Sequence, residues 1–169
     1  MNVVLIGYRG TGKSTVAKAL AARLALAMIS TDTEIVRRTG QSIPDIVAKH
    51  GWDYFRDLES QTCQELADRD RLVIDTGGGA ILRGQNVAAL KKNGKLFWLT
   101  ASVTTIGKRI GGDRERPSLT GRKTFIDEIE EVLSERTPRY QEAADFVIAT
   151  DGRSVAQVVD EIVTCLQVA

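Results

Sequence analysis

A glycine-rich segment near the start of the chain limits its possible folds more than any other stretch. It reads Gly7-Tyr8-Arg9-Gly10-Thr11-Gly12-Lys13-Ser14-Thr15. Its spacing of glycine, four residues, glycine, lysine and serine is typical of a phosphate-binding loop. An apolar run at 3–6 precedes it and an alanine-rich helical pattern follows at 16–26. Glycines let the backbone wrap around an anion, and the following helix directs its positive end at it. The segment therefore predicts a nucleoside triphosphate site.

Two side chains of this loop have chemistry of their own. Lys13 supplies a mobile positive charge for the outer phosphates, and the Ser14 hydroxyl can ligate Mg²⁺. The predicted nucleotide contacts within the loop are Gly10, Thr11, Gly12, Lys13, Ser14 and Thr15.

The charge balance excludes several classes of partner. Among 169 residues, 23 Lys and Arg face 22 Asp and Glu, so bulk electrostatics give no case for nucleic acid or an anionic membrane. The chain starts on a strand pattern rather than a signal peptide, and no uncharged apolar run approaches membrane-spanning length. Cys63 and Cys165 form no CxxC pair. We expect a cytoplasmic monomer with reduced thiols.

Five short apolar runs recur along the chain, and helical patterns follow them. The runs cover residues 3–6, 27–29, 72–74, 96–99 and 146–148. This alternation predicts a parallel sheet with helices on both faces, whose strands end at one ligand-binding edge. No linker or repeat interrupts it. We therefore expect one domain over 1–169, with a three-layer α-β-α P-loop NTPase fold and a five-stranded parallel sheet.

Polar or glycine-rich segments follow several of these runs. Asp32 follows the second run, and Asp75 ends the third, where P-loop enzymes hold Mg²⁺; a buried carboxylate bonded to a neighbouring loop is the alternative. Gly77-Gly78-Gly79 is either a permissive turn or backbone that approaches a ligand. The arginine-rich segment 111–123 is either a surface loop or a lid that brings arginine to a phosphoryl group.

In this order, these features resemble the shikimate kinase family along essentially the whole chain. They are the phosphate loop, Asp32, Phe55-Arg56 with Glu59, Gly77-Gly78-Gly79-Ala80, Arg116-Pro117, and Glu135-Arg136 followed by Pro138 and Tyr140. The loop alone is shared by many NTPases, whereas the later set is specific. The resemblance implies a nucleoside monophosphate kinase-like fold and an ATP-dependent kinase. The implied reaction transfers the γ-phosphoryl group, with Mg²⁺, to the 3-hydroxyl of shikimate in aromatic amino-acid biosynthesis.

The resemblance also implies roles on the acceptor side, in a substrate-binding segment at about 32–60 and beyond it. Arg56 and Arg136 match the family's carboxylate-binding arginines, which suits the bidentate geometry of guanidinium. Asp32 matches the residue that contacts the substrate hydroxyls and orients or deprotonates the nucleophile. Gly78 and Gly79 match backbone donors to the substrate, and Gly77 belongs to the same predicted substrate-binding platform.

On the nucleotide side, Arg116 matches the lid arginine, which would act with Lys13 on the phosphoryl group in flight. Arg109 matches the family's adenine-stacking arginine. Arg153, in the loop 151–155, matches the other side of the adenine site.

Two positions depart from the family's pattern. The family commonly has Asp-x-Asp after the second strand, whereas Ser30 here replaces the first aspartate, and Asp75 stands where a small polar residue is frequent. We expect Asp75 to supply the carboxylate that Ser30 lacks, so that the candidate Mg²⁺ ligands are Ser14, Asp32 and Asp75. Arg139 replaces a common leucine and adds charge near the substrate end.

Two other functions fit parts of the pattern. Another small-metabolite kinase, for example one acting on gluconate, would share the phosphate loop and the lid. It would not obviously require Arg56 and Arg136 around the three glycines. A non-catalytic regulatory module that binds a nucleotide and a shikimate-like effector is suggested only by Ser30, and the retained Lys13 and Asp32 argue against it.

Overall fold

The computed structural model describes residues 1–111 and 125–169. In this part of the chain, one five-stranded sheet has the order β2-β3-β1-β4-β5. Its strands are β1 (Asn2–Ile6), β2 (Ala27–Ser30), β3 (Leu72–Asp75), β4 (Gly94–Thr100) and β5 (Phe146–Ala149). Every neighbouring pair is parallel. The predicted α/β fold is therefore confirmed.

Helices connect the strands and cover both faces of the sheet. They are α1 (Lys13–Leu24), α2 (Thr31–Thr39), α3 (Ile43–His50), α4 (Trp52–Ala67), α5 (Gly84–Lys92), α6 (Val103–Ile110), α7 (Phe125–Ala143) and α8 (Val155–Val168). A short 3-10 helix, Ala80–Leu82, follows β3. None of the helices within 1–111 and 125–169 combines the length and apolar character needed to cross a membrane.

The central strand β1 shows why the sheet needs helices on both sides. Val3 and Leu5 belong to a core cluster with residues of α1 and α8, whereas Val4 and Ile6 belong to a second cluster with residues of α4 and α7. Successive side chains of a strand point to opposite faces. The uninterrupted apolar run therefore buries both faces, as parallel sheets require.

The strand order places the phosphate loop at the functional edge. The chain leaves β1 through α1 toward β2 on one side, and later crosses to β4 on the other side of β1. In open parallel sheets, a crevice forms where the strand order reverses in this way, at the carboxyl ends of the strands. The segment between β1 and α1 opens into that crevice.

The start of α2 is set by a side-chain cap. Ser30 is the N-cap, because its side chain accepts a hydrogen bond from the Thr33 N–H (3.3 Å). The helix therefore begins at Thr31, directly after β2, and Asp32 lies in its first turn. Serine at an N-cap satisfies one of the otherwise unpaired N–H groups of a helix. This gives Ser30 a structural role where the family commonly has a carboxylate.

Candidate active site

The phosphate loop is compact because its glycines meet neighbouring backbone and core side chains. Gly7 has φ 144°, and a Cβ there would lie 2.6 Å from the Leu99 carbonyl oxygen. Gly10 has φ 80°, and its Cβ would lie 2.7 Å from Ile110. Both the backbone conformation and the space therefore require glycine. The loop is consequently packed against β4 and α6.

Lys13 and Ser14 both line the crevice at the carboxyl ends of the strands. Lys13 is buried, and its ammonium group donates hydrogen bonds to the carbonyls of Gly7 (2.8 Å) and Tyr8 (3.0 Å). The Ser14 hydroxyl donates to Asp75 Oδ2 at 2.6 Å. The loop is therefore joined to the end of β3 through one short bond.

Asp75 lies buried at the end of β3, and its surroundings shift the pKa of its carboxyl group. Burial raises the pKa of its carboxyl group, and the nearby Lys13 ammonium and the bond from Ser14 act in the opposite direction. Oxygen ligands of this kind, a carboxylate beside a hydroxyl, suit Mg²⁺. In the described part of the chain, no three histidine, cysteine, aspartate or glutamate side chains form a metal-binding group.

The glycine platform at 77–79 lies where the acceptor residues converge. Distances from a hypothetical Cβ at each glycine locate its neighbours. At Gly77 it would lie 2.8 Å from Asp32 Oδ1, and at Gly78 it would lie 3.4 Å from an Arg136 guanidinium nitrogen. At Gly79 it would overlap the Arg56 guanidinium. Side chains of α2, α4 and α7 thus meet at three successive glycines.

Arg56 is held in place by its own helix. Its Nη1 donates to Glu59 Oε1 at 2.8 Å, and the guanidinium carbon lies 5.3 Å from the ring centres of both Trp52 and Phe55. Glu59 has no exposed surface, and burial raises the pKa of its carboxyl group while Arg56 opposes that shift. Glu59 therefore holds the Arg56 guanidinium beside Gly79.

Arg136 approaches the platform from α7, and Arg139 lies one turn further. Arg136 is buried, with 8% of its surface exposed. Arg139 instead donates a hydrogen bond to the Leu82 carbonyl at 3.0 Å near the protein surface. Arg139 therefore joins α7 to the 3-10 helix and does not enter the platform.

A cavity of about 580 Å³ opens above the phosphate loop. Its lining includes the loop residues Gly10 to Thr15, together with Asp32, Asp75, Arg109 and Arg153. Arg109 donates hydrogen bonds to the Gly10 carbonyl (3.1 Å) and the Thr150 hydroxyl (3.3 Å). Arg153 donates to the Ala149 carbonyl and forms an ion pair with Glu161. The two arginines that the resemblance assigns to the adenine site thus both line this cavity.

The sequence interpretation missed two residues at this site, and one predicted residue cannot be placed. Arg116 and the predicted lid, apart from Gly111, lie outside the described residues. Arg9 also lines the cavity, and its guanidinium lies 3.9 Å from Glu128 of α7. The position of Arg9 inside the phosphate loop could have indicated that it lines the cavity. Thr31, between Ser30 and Asp32, accepts a hydrogen bond from the Gly77 N–H (2.9 Å).

The fold and the phosphate loop define a P-loop kinase, and comparisons with known proteins identify its family. A sequence model of the shikimate kinase family matches residues 9–167. A shikimate kinase of Nitratidesulfovibrio vulgaris is 44% identical over 167 residues, 97% of this chain and 94% of the relative. One of Syntrophus aciditrophicus is 41% identical and covers 98% and 91%. The chain therefore belongs to the shikimate kinase family.

Solved structures agree with this assignment. A shikimate kinase from Acinetobacter baumannii in complex with shikimate has a TM-score of 0.93 and 34% identity, over 98% of this chain and 92% of that one. A gluconokinase from Sinorhizobium meliloti has a TM-score of 0.54 at 15% identity, over 98% and 91%. The second likeness concerns the fold alone. The predicted resemblance and the predicted class, an ATP-dependent kinase, are confirmed.

Proposed function

We propose that this chain transfers the γ-phosphoryl group of ATP to the 3-hydroxyl of shikimate, giving shikimate 3-phosphate and ADP. The observation that carries the proposal is the convergence of Asp32, Arg56 and Arg136 on the platform at 77–79, beside the phosphate loop. A small hydroxylated acid needs a carboxylate anchor and a group that orients its hydroxyl. This platform has residues for both.

Two guanidinium groups would hold the acceptor's carboxylate. Arg56 and Arg136 reach adjacent glycines of the platform from different helices, and both are largely buried. Guanidinium binds carboxylate through parallel hydrogen bonds, and such charge-assisted bonds are stronger where water is excluded. The pair would therefore fix both the position and the orientation of the substrate ring.

Asp32 would act on the nucleophile. Its carboxylate lies beside Gly77, at the end of the platform opposite Arg56. A carboxylate there can accept the proton of the attacking hydroxyl as the new bond to phosphorus forms. Lys13 would exchange its bonds to the Gly7 and Tyr8 carbonyls for phosphate oxygens and, together with Arg116, stabilise the charge on the phosphoryl group.

The residues present fit a magnesium ion. Ser14, Asp75 and Asp32 would hold it directly or through water, as Mg²⁺ in kinases uses one or two carboxylates and the substrate phosphates. Bound there, Mg²⁺ would neutralise charge on the β and γ oxygens. Asp75 would supply the carboxylate that the family commonly places at the position of Ser30, which here caps α2.

The remaining features of the proposal concern the organisation of the chain. We propose one kinase domain over 1–169, with a substrate-binding segment at about 32–60 and a lid at about 111–123. Arg109 and Arg153 would contact the adenine. We also propose a cytoplasmic monomer, whose size gel filtration would test. The balanced charge gives no electrostatic case for nucleic-acid or membrane partners.

A coupled assay with ATP, Mg²⁺ and shikimate tests the proposal, with gluconate as the competing acceptor. Asp32→Asn should lower kcat about 100-fold or more, the usual effect of removing a general base. Asp68→Asn, an exposed change at the end of α4, is the matched control. Transfer to gluconate but not shikimate would refute the proposal. Binding of both ligands without turnover would instead indicate a regulatory module.

A further inference from the structure

Two backbone hydrogen bonds of the glycine platform at 77–79 lie within its own turn. The carbonyls of Gly77 and Gly79 accept bonds from the N–H groups of Ala80 and Leu82, each at 3.1 Å. These bonds are local, because they belong to the turn that starts the 3-10 helix. They set the shape of the turn but do not connect it to the helices that carry the acceptor residues.

Two buried hydroxyl groups make that connection. The Gly77 N–H donates to the Thr31 hydroxyl at 2.9 Å, and the Tyr140 hydroxyl donates to the Gly78 carbonyl. Neither Thr31 nor Tyr140 has exposed surface. Within the described residues, the N–H groups of Gly78 and Gly79 then remain without an acceptor. These two N–H groups are the donors that the platform can offer to a ligand.

The positions of the two hydroxyls in the chain link them to the acceptor residues. Thr31 immediately precedes Asp32 in the first turn of α2. Tyr140 lies four residues after Arg136 in α7, and residues at this spacing are neighbours on a helix surface. Each hydroxyl therefore connects the platform to an element that also carries an acceptor-binding side chain.

The surroundings of Tyr140 favour a fixed donor. Its ring stacks on Trp98 of β4, with ring centres 5.6 Å apart and planes 20° apart. Burial raises the pKa of its hydroxyl to about 12, with the neighbouring Arg136 guanidinium acting in the opposite direction. The hydroxyl therefore keeps its proton across the physiological range and can donate to the Gly78 carbonyl throughout.

We propose that Thr31 and Tyr140 are positioning residues for the acceptor: they set the glycine platform in register with Asp32 and Arg136. The inference rests on the proposed function, because it assumes that the platform binds shikimate. Losing either hydroxyl lets the platform shift relative to its partner side chain. The shift weakens acceptor binding and leaves the phosphate loop unchanged.

Three variants test this proposal. Tyr140→Phe and Thr31→Val remove one hydroxyl each and keep the shape of the side chain, while Thr31→Ser keeps the hydroxyl. Ile148→Val is the control, because Ile148 is a buried residue of β5 in the core cluster between the sheet and α8. It should lower the melting temperature without touching the platform.

The measurements are the KM for each substrate, kcat, and the Kd of shikimate alone by calorimetry. We expect Tyr140→Phe and Thr31→Val to raise the KM and Kd for shikimate about three- to tenfold, the effect of one lost hydrogen bond. The KM for ATP should stay within about twofold of the wild-type value, because the lost hydrogen bond belongs to the platform and not to the phosphate loop. Thr31→Ser should restore the wild-type constants.

Other results would overturn the proposal. Shikimate constants equal to those of Ile148→Val, or equal losses for both substrates, would mean that the hydroxyls have a structural role only. If Tyr140→Phe does not fold, Thr31→Val and Thr31→Ser decide the question. Failure of the wild-type protein to bind or phosphorylate shikimate would overturn the proposed function as well. Normal wild-type activity with unaffected variants would overturn only the positioning role.

Discussion

The substitution Gly79→Ala tests the geometry of the acceptor site most directly. Gly79 has φ −99° and ψ 6°, a conformation open to any residue, so alanine causes no backbone strain there. The obstacle is the Arg56 guanidinium, which a Cβ at Gly79 would overlap. The guanidinium must retreat by more than about 1 Å to reach an ordinary separation of about 3.5 Å.

The size of the effect follows from what holds Arg56. Its 2.8 Å bond to Glu59 and its contacts with Trp52 and Phe55 resist the retreat. A misplacement of about 1 Å at a reacting or binding group can lower the rate about 100-fold, or about 2.7 kcal/mol. We therefore expect kcat/KM for shikimate to fall about 100-fold. ATP binding should be unchanged, because Arg56 does not line the cavity above the phosphate loop.

The assay is steady-state kinetics with each substrate varied, together with thermal unfolding of each variant. Gly84→Ala is the matched control, because a Cβ there meets nothing within 4 Å and alanine stabilises a helix start or leaves it unchanged. Gly78→Ala should have a smaller effect than Gly79→Ala, since its Cβ would lie 3.4 Å from Arg136. Wild-type shikimate constants in folded Gly79→Ala would refute the placement of Arg56.

Three further predictions follow from the same site and its surroundings. Arg136→Ala should raise the KM for shikimate more than tenfold and leave that for ATP nearly unchanged, because a buried charged partner is lost; equal losses for both would contradict its role. Asp75→Asn should raise the Mg²⁺ concentration for half-maximal rate about 10- to 100-fold, and an unchanged Mg²⁺ dependence in a folded variant would exclude Asp75 from the metal shell. Burial raises the pKa of the Cys63 thiol to about 12. A thiol reagent at pH 8 should therefore modify only Cys165 until the protein is unfolded. Rapid modification of both thiols in the native protein would contradict the burial of Cys63.

The centres of the strands and helices were predictable from local pattern, and their ends were less so. The run at 96–99 extends in the structure to Gly94–Thr100, because backbone pairing continues beyond the apolar run, with β1 at Gly94 and Lys95 and with β5 at Thr100. Conversely, α1 was expected to reach residue 26 but ends at Leu24, where Ala25 adopts a left-handed conformation with φ 51°. Alanine favours helix, so local propensity could not reveal that end.

The candidate site, like the fold, was predictable from local pattern only in part. The residue types of the phosphate loop and their spacing indicate a phosphate site, because one continuous segment supplies both the backbone donors and Lys13. Asp32, Arg56 and Arg136 are far apart in the chain, and only the family resemblance grouped them before the structure was known. The roles of Thr31 and Tyr140 depend on hydrogen bonds to distant backbone groups, which no local pattern encodes.

The phosphate-binding part of the nucleotide site is already evident in the sequence, since one short segment and the helix after it supply the backbone donors, Lys13 and Ser14. The acceptor side is assembled only in the folded molecule: Ser30 caps α2, Asp75 bonds to Ser14, and three side chains meet one platform of glycines. Hydrogen bonding and burial at a sheet edge depend on which segments the fold brings together. The separation of two residues along the sequence does not specify which segments those are.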